Sequence, residues 1–197
     1  MPSPAKALLD ANVLYSNHLR NLLLQLAQND VFDARWSERI EQEWLGAIEP
    51  RTRGRVADRT IPLIRTWFAN ALVAGFDPER AIGVTDPKDR HVASAAAAIA
   101  PCVLVTNNLK DFDFAALAAL GVTIRSPDDF LTGLFDANPA LVEAVMRESA
   151  ANLTHSTPSW DEYLTALAER HGLPQFVGRL RSWHPKDVEE PAAPDGP

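Results

Sequence analysis

The chain has 197 residues, 46% hydrophobic and 23% charged, the balance of a globular protein with room for one ordinary domain and an extension. Twenty-six acidic against nineteen basic side chains leave a net charge of -7, which argues against a basic, nucleic-acid-coating protein. One cysteine excludes an internal disulfide framework or a zinc finger, and with no apolar run near the roughly 20 residues of a bilayer span and no leader-like N-terminus, a cytoplasmic protein without membrane contact is expected.

The first predicted element is a short buried strand over Ala5 to Leu9, ending at Asp10 and Asn12. Leucines at 14, 19, 22, 23, 24 and 26 predict a helix over Val13 to Gln28. Ser37 reads as the N-cap of a second helix reaching about Ile48. An arginine-rich turn over Glu49 to Gly54 follows, then a longer helix over Val56 to Val73, bent or restarted at Pro62. Gly75 to Val84 reads as loop. Asp86-Pro87 suggests an N-cap with proline at the first helical position, opening an alanine-rich helix that Pro101 stops.

Cys102 to Thr106 is the clearest strand, bounded by Pro101 and Asn107-Asn108. A short helix from Phe114 to Leu120 ends at Gly121, Val122 to Arg125 forms another strand, and Ser126-Pro127-Asp128-Asp129 caps the next helix. Strands and helices alternate as far as Phe135, which implies an α/β fold with a central parallel sheet covered on both faces. Three further helices are expected over Pro139 to Asn152, Pro158 to His171 and Leu173 to Trp183. The chain thus divides into an α/β domain over 1–135, a helical extension over 136–183, and a proline-rich, acidic tail over 184–197 expected to be disordered.

In an open parallel sheet, ligands sit beyond the carboxyl ends of the strands. Those ends deliver Asp10 from the first strand, and Thr106, Asn107, Asn108 and then Asp111 after the strand at 102–106. Neither connection carries a glycine-rich phosphate loop. Asp89 falls on the face shared by Val92, Ala93 and Ala96, so a carboxylate in that first turn points toward the sheet. Taken by itself, its helix favours a different reading, in which Asp89 is the third helical residue and complements the orphan N–H groups. On the second helix Glu41 and Glu43 flank the apolar stripe of Ile40, Trp44, Ala47 and Ile48 on opposite sides, and periodicity does not choose between them; Glu38 points away.

Together Asp10, a helical glutamate, Asp89 and Asp111 form a set of acids near one sheet edge. Clustered carboxylates raise one another's pKa unless a cation neutralises them. Hard oxygen ligands in an open site suit Mg²⁺ or Mn²⁺, ions that promote phosphodiester displacement. The chemistry indicated is metal-dependent nuclease action.

At these residues the chain resembles the PIN-domain ribonucleases, in particular the VapC-type toxins of prokaryotic toxin–antitoxin pairs. The resemblance rests on Leu9-Asp10-Ala11-Asn12-Val13-Leu14-Tyr15-Ser16, on Ser37 through Glu43, on Asp86-Pro87-Lys88-Asp89-Arg90-His91-Val92, and on Val105-Thr106-Asn107-Asn108-Leu109-Lys110-Asp111-Phe112. It covers residues 5–135, and the later helices look like the extension of a longer subgroup. The resemblance implies a three-layer α/β/α fold and an endoribonuclease that uses Mg²⁺ or Mn²⁺. It matches Asp10, Glu43 and Asp89 to the first three acids of the family, Glu43 by its spacing from Ser37. At the fourth position this chain has Thr106-Asn107-Asn108 where many members place aspartate, leaving Asp111 or Asn108 to complete the site. Asn12 and Thr106 take supporting roles, orienting carboxylates. The implied partners are RNA, a cognate antitoxin and a second copy of the chain.

Of the other features, His91 reads as a helix-surface residue, structural or adjacent to substrate, and Cys102 as an inert buried thiol. Trp36, Trp44, Trp67, Trp160 and Trp183 read as packing or interface residues. Arg51, Arg53, Arg55, Arg59 and Arg65, against Asp58 alone, form a local basic patch, either a solvated helix or a contact for RNA phosphate or antitoxin. Two other functions stand beside the nuclease: a catalytically silent PIN-like module that binds RNA or protein, and, ranked last, a phosphatase or phosphoacceptor using Asp10.

Overall fold

The computed structural model describes residues 4–151 and 159–184; the tail expected to be disordered lies, beyond His184, outside them. Five parallel strands form one sheet in the order β3-β2-β1-β4-β5: β1 (Lys6–Leu9), β2 (Asp33–Ser37), β3 (Leu72–Val73), β4 (Cys102–Val105) and β5 (Val122–Arg125). Ala7, Leu8 and Leu9 are all fully buried. Because successive strand residues face opposite sides, the sheet is covered on both faces. Strand β1 pairs with β2 on one side and β4 on the other. The chain therefore leaves β1 in one direction and returns on the opposite side, so the strand order reverses between β1 and β4, the place at whose carboxyl end open α/β sheets bind ligands.

The helices are α1 (Ala11–Leu14), α2 (Asn17–Gln28), α3 (Glu38–Ala47), α4 (Pro50–Arg55), α5 (Ile61–Trp67), α6 (Arg90–Ala98), α7 (Phe114–Ala119), α8 (Pro127–Ala137), α9 (Pro139–Ala151), α10 (Trp160–Arg170) and α11 (Pro174–Ser182). The helix expected over 13–28 is broken. Ser16 is extended and its hydroxyl accepts from Leu19 N–H, so the chain caps and restarts there. Strand β2 escaped the periodicity reading because its core face is carried by Ala34 and Trp36 alone, while Asp33 and Arg35 pair with each other between them. The arginine-rich turn is helical as α4, with Pro50 in its first turn. The long helix expected over 56–73 instead passes through one π-helical turn, Val56–Thr60, into α5 and stops at Trp67. The chain then turns to add Leu72 and Val73 to β2 as an edge strand.

The largest consequence concerns Asp89. The helix expected from Pro87 starts at Arg90, and residues 87–89 form a turn in which Lys88 N–H bonds the Asp86 carboxylate and Asp89 N–H the Asp86 carbonyl. Asp89 is thus the N-cap residue rather than the third helical one. Its side chain makes no capping hydrogen bond; its carbonyl takes the N–H groups of Val92 and Ala93.

Beyond β5 the described residues form helices α8 to α11. Helix α8 packs on α11 and α9 on α2. Phe135 meets Phe176 and Trp183 edge-on at centroid distances of 6.2 and 6.1 Å. The buried Asp128 carboxylate accepts the N–H groups of Gln175 and Phe176 at 3.1 and 2.9 Å, satisfying the first turn of α11 from another helix. Among the described residues no helix is long and apolar enough to cross a membrane.

Candidate active site

Asp10 ends β1 and begins α1. Its backbone N–H continues the β1–β4 ladder to Val105 carbonyl, so its side chain stands beside that of Thr106. One carboxylate oxygen, Oδ1, caps α1 through Ala11 N–H at 2.6 Å. The other, Oδ2, accepts from Asn12 Nδ2 at 2.6 Å and Thr106 Oγ1 at 2.7 Å. Asn12 also donates to Thr106 Oγ1, and its carbonyl oxygen Oδ1 takes Asn107 N–H. Burial pushes the Asp10 pKa up, the hydrogen bonds pull against that, and Glu43 adds repulsion. A carboxylate offers about four lone-pair sites; three are used within the protein, and one remains.

The glutamates of α3 separate by partner. Glu41 is buried and bound by Arg65 through Nε and Nη2, with Trp36 Nε1 at 3.4 Å from its Oε2. This carboxylate is neutralised inside the fold. Glu43 sits partly exposed, its Oε1 at 3.0 Å from His91 Nε2 and 3.4 Å from Arg39 Nε. Burial raises its pKa, Arg39 lowers it, and Asp89 raises it again. Of the two glutamates that periodicity left open, Glu41 is ion-paired within the fold and Glu43 stands beside His91 and Arg39. His91 is 1% exposed rather than on the helix surface, and burial, reinforced by Arg39, lowers its pKa to about 4, so it is a neutral imidazole at pH 7.

The uncapped Asp89 has its pKa pushed up to about 6, first by burial and then by the charges of Asp10, Asp111 and Asp86. Asp111 lies at the end of a single 3-10 turn, Leu109–Asp111. Its carbonyl accepts Asp86 N–H at 2.8 Å, which ties the loop before α6 to the loop after β4. Asp113 reinforces the tie by accepting Val84 N–H, and its own N–H reaches Thr85 Oγ1. Gly83, with φ of +55°, lies so close to Asp113 that a Cβ there would overlap the carboxylate. Asn108 is exposed, its backbone N–H bonded to Thr106 Oγ1. Asp89 feels the charges of Asp10 and Asp111, and Glu43 those of Asp89 and Asp10, so the four acids are linked pairwise through Asp89 and Asp10.

The donor set is one of hard oxygens. Among the described residues no three His, Cys, Asp or Glu side chains stand close enough together to form a ready-made cage.

The five arginines at 51–65 do not act as one patch. Arg65 is spent on Glu41, Arg53 folds back onto the carbonyls of Gly46 and Ile48 at the end of α3, and Arg51 pairs with Glu49. Arg55 and Arg59 remain exposed without an ion-pair partner among the described residues. Of the tryptophans, Trp36 and Trp44 are core and Trp67 is 66% exposed. Cys102 is buried, its Sγ 3.3 Å from Ala96 carbonyl and its pKa raised to about 11 by burial, an unreactive thiol as expected. Sequence periodicity missed the pairing of buried Glu41 with exposed Arg65 and also Arg20, buried against Trp44 with Leu14 carbonyl and Asn17 as partners. Charged residues inside a leucine-rich helix face were the available signal.

Residues 127–182 match the family described as the VapC50 C-terminal domain, beginning where α8 begins. Over 98 residues the chain is 34% identical to a Mycobacterium tuberculosis protein named "Putative ribonuclease VapC50". The aligned part is 50% of this chain and 57% of that protein, so the chain spans little more than half of its relative's length. No solved structure matches.

Proposed function

We propose that this chain, a VapC-type family member with a C-terminal extension, is a metal-dependent endoribonuclease that hydrolyses RNA phosphodiester bonds and acts as the toxin of a toxin–antitoxin pair. The observation that carries the reading is Asp89: a carboxylate at the N-cap of α6, free of any capping hydrogen bond and pushed up to about 6 by burial and by the charges of Asp10, Asp111 and Asp86. A fold gains nothing from such repulsion unless a cation relieves it. Asp10, Glu43, Asp89 and Asp111 would hold Mg²⁺ or Mn²⁺. When bound, such an ion supplies Lewis acidity to the scissile phosphate and to the attacking water.

The chain's own residues have distinct parts. Thr106 and Asn12 hold the Asp10 carboxylate in one orientation through its Oδ2. Glu43 and Asp89, both less buried than Asp10, are available to accept a proton from water. The exposed Asn107, Asn108 and Lys110 rim the strand end, where amide and ammonium donors can meet phosphate oxygens. RNA as substrate, an antitoxin as partner, a homodimer and a cytoplasmic location belong to the same proposal, which the likeness to the ribonuclease-named relative supports.

Incubating the purified chain with RNA in Mn²⁺ or Mg²⁺ should yield fragments that a chelator prevents. Asp89→Asn, with folding verified by circular dichroism, should yield none and should relieve growth inhibition on expression. Metal-dependent cleavage by the folded variant would overturn the site. RNA binding by the wild type without fragments in Mn²⁺ would favour the silent module instead.

A further inference from the structure

We propose that the face around Trp67 is an interface between two copies of this chain, set antiparallel about a two-fold axis. It gives a place to the homodimer of the proposed function and stands apart from the nuclease chemistry. Leu63 and Trp67, one turn apart on α5, have 59% and 66% of their surface open. Large apolar side chains exposed together mark contact surfaces, and tryptophan is a preferred anchor in them. Two hollows flank Trp67, one of about 190 Å³ toward Asn21 and Thr60, the other of about 580 Å³ toward Asp30 and Asp33. Gln28, Trp67 and Phe68 line both, so the two form one groove with Trp67 at its middle.

Charge indicates the occupant. Each copy carries a net charge of -7, and two such chains repel wherever like charges meet. The groove avoids this. No charged side chain lines the smaller hollow, and in the larger one Asp33 and Arg35 pair with each other at 2.7 Å. Two charges without an ion-pair partner among the described residues stand at opposite ends: Arg59, next to Thr60, and Asp30, both exposed. A two-fold axis at Trp67 brings the Arg59 end of one copy to the Asp30 end of the other, twice over, as a self-complementary interface requires. RNA would meet one cation here rather than a line of them. Pro4 ahead of β1 and Asp33 at the start of β2 put the groove at the amino end of the sheet, away from Asp10. A copy seated there leaves the acids uncovered.

Size exclusion with light scattering on the full chain tests this. The wild type should run at twice the chain mass at micromolar concentration and dissociate on dilution. Trp67→Glu should raise the dimer dissociation constant about 30-fold or more, the loss expected for an interface anchor, with circular dichroism unchanged because the replaced side chain is exposed. Leu63→Glu takes its place should that variant fail to fold. Arg59→Glu should weaken the dimer by setting two acids together. Adding Asp30→Asn, which tolerates the positive φ of that residue, should restore part of the loss. A wild type that stays monomeric would overturn the interface and the homodimer. A Trp67→Glu dimer of wild-type affinity would overturn the face, and a monomeric wild type that loses RNA affinity on Trp67→Glu would give the face to RNA. Chain mass decides whether or not the protein cleaves RNA, so failure of the nuclease reading would be seen separately.

Discussion

The hydroxyl of Thr106 donates to Asp10 Oδ2 at 2.7 Å across 96 residues of chain, because β1 and β4 lie side by side with their carboxyl ends in register. Asp10 is 3% exposed and Thr106 fully buried, so this bond holds a desolvated carboxylate in place. Thr106→Val keeps the shape and removes the donor. It should destabilise the fold by about 1–3 kcal/mol in chemical denaturation and raise the Asp10 pKa further, shifting the pH profile of cleavage upward. Thr106→Ser should behave as wild type in both.

The raised pKa of Asp89 gives a signed pH dependence. Its folded pKa of about 6 exceeds the ordinary value of 3.8, so between those values the folded state binds more protons than the unfolded state. Stability without metal should therefore fall as pH rises through this window and level off above about 6. A divalent cation needs the ionised form, so its stabilising effect should grow over the same window. Thermal midpoints with Mn²⁺ and with chelator, measured on both sides of about pH 6, check this. A cation effect that shrinks with rising pH would refute it.

Asp128 ties α8 to α11 by receiving the first N–H groups of α11. Asp128→Ala leaves those donors unsatisfied and should cost about 1–2 kcal/mol, the usual range for a lost cap. Hydrogen exchange should show the loss concentrated in α11 and the facing side of α8, with β1 and β4 keeping their protection.

The arginines of 51–65 should separate by mutation. Arg65→Ala strands the buried Glu41 carboxylate and should destabilise by about 1–3 kcal/mol. Arg59→Ala should stay within about 0.5 kcal/mol, as for other surface substitutions. If exposed Arg55 and Arg59 meet phosphate, their joint replacement by alanine should flatten the salt dependence of RNA affinity while stability is unchanged.

Much of this protein could be read from the sequence, because the signals are local. Apolar runs bounded by Pro101 and Asn107 marked β4, Ser126 and Asp129 cap α8 as their spacing required, and the alternation of elements gave a parallel α/β sheet. The same locality put Asp10 and Thr106 at strand ends. What local pattern could not decide was everything set by a partner far along the chain. Glu41 and Glu43 flank one stripe symmetrically; they differ because Arg65 neutralises the first and His91 meets the second. Asp89 looked like a helix-capping acid until the turn at 87–89 freed its side chain and the Asp86–Asp111 backbone bond set two acidic loops side by side. Helix periodicity is a property of neighbouring residues, whereas the charge a carboxylate feels is a property of whatever the strand order brings beside it.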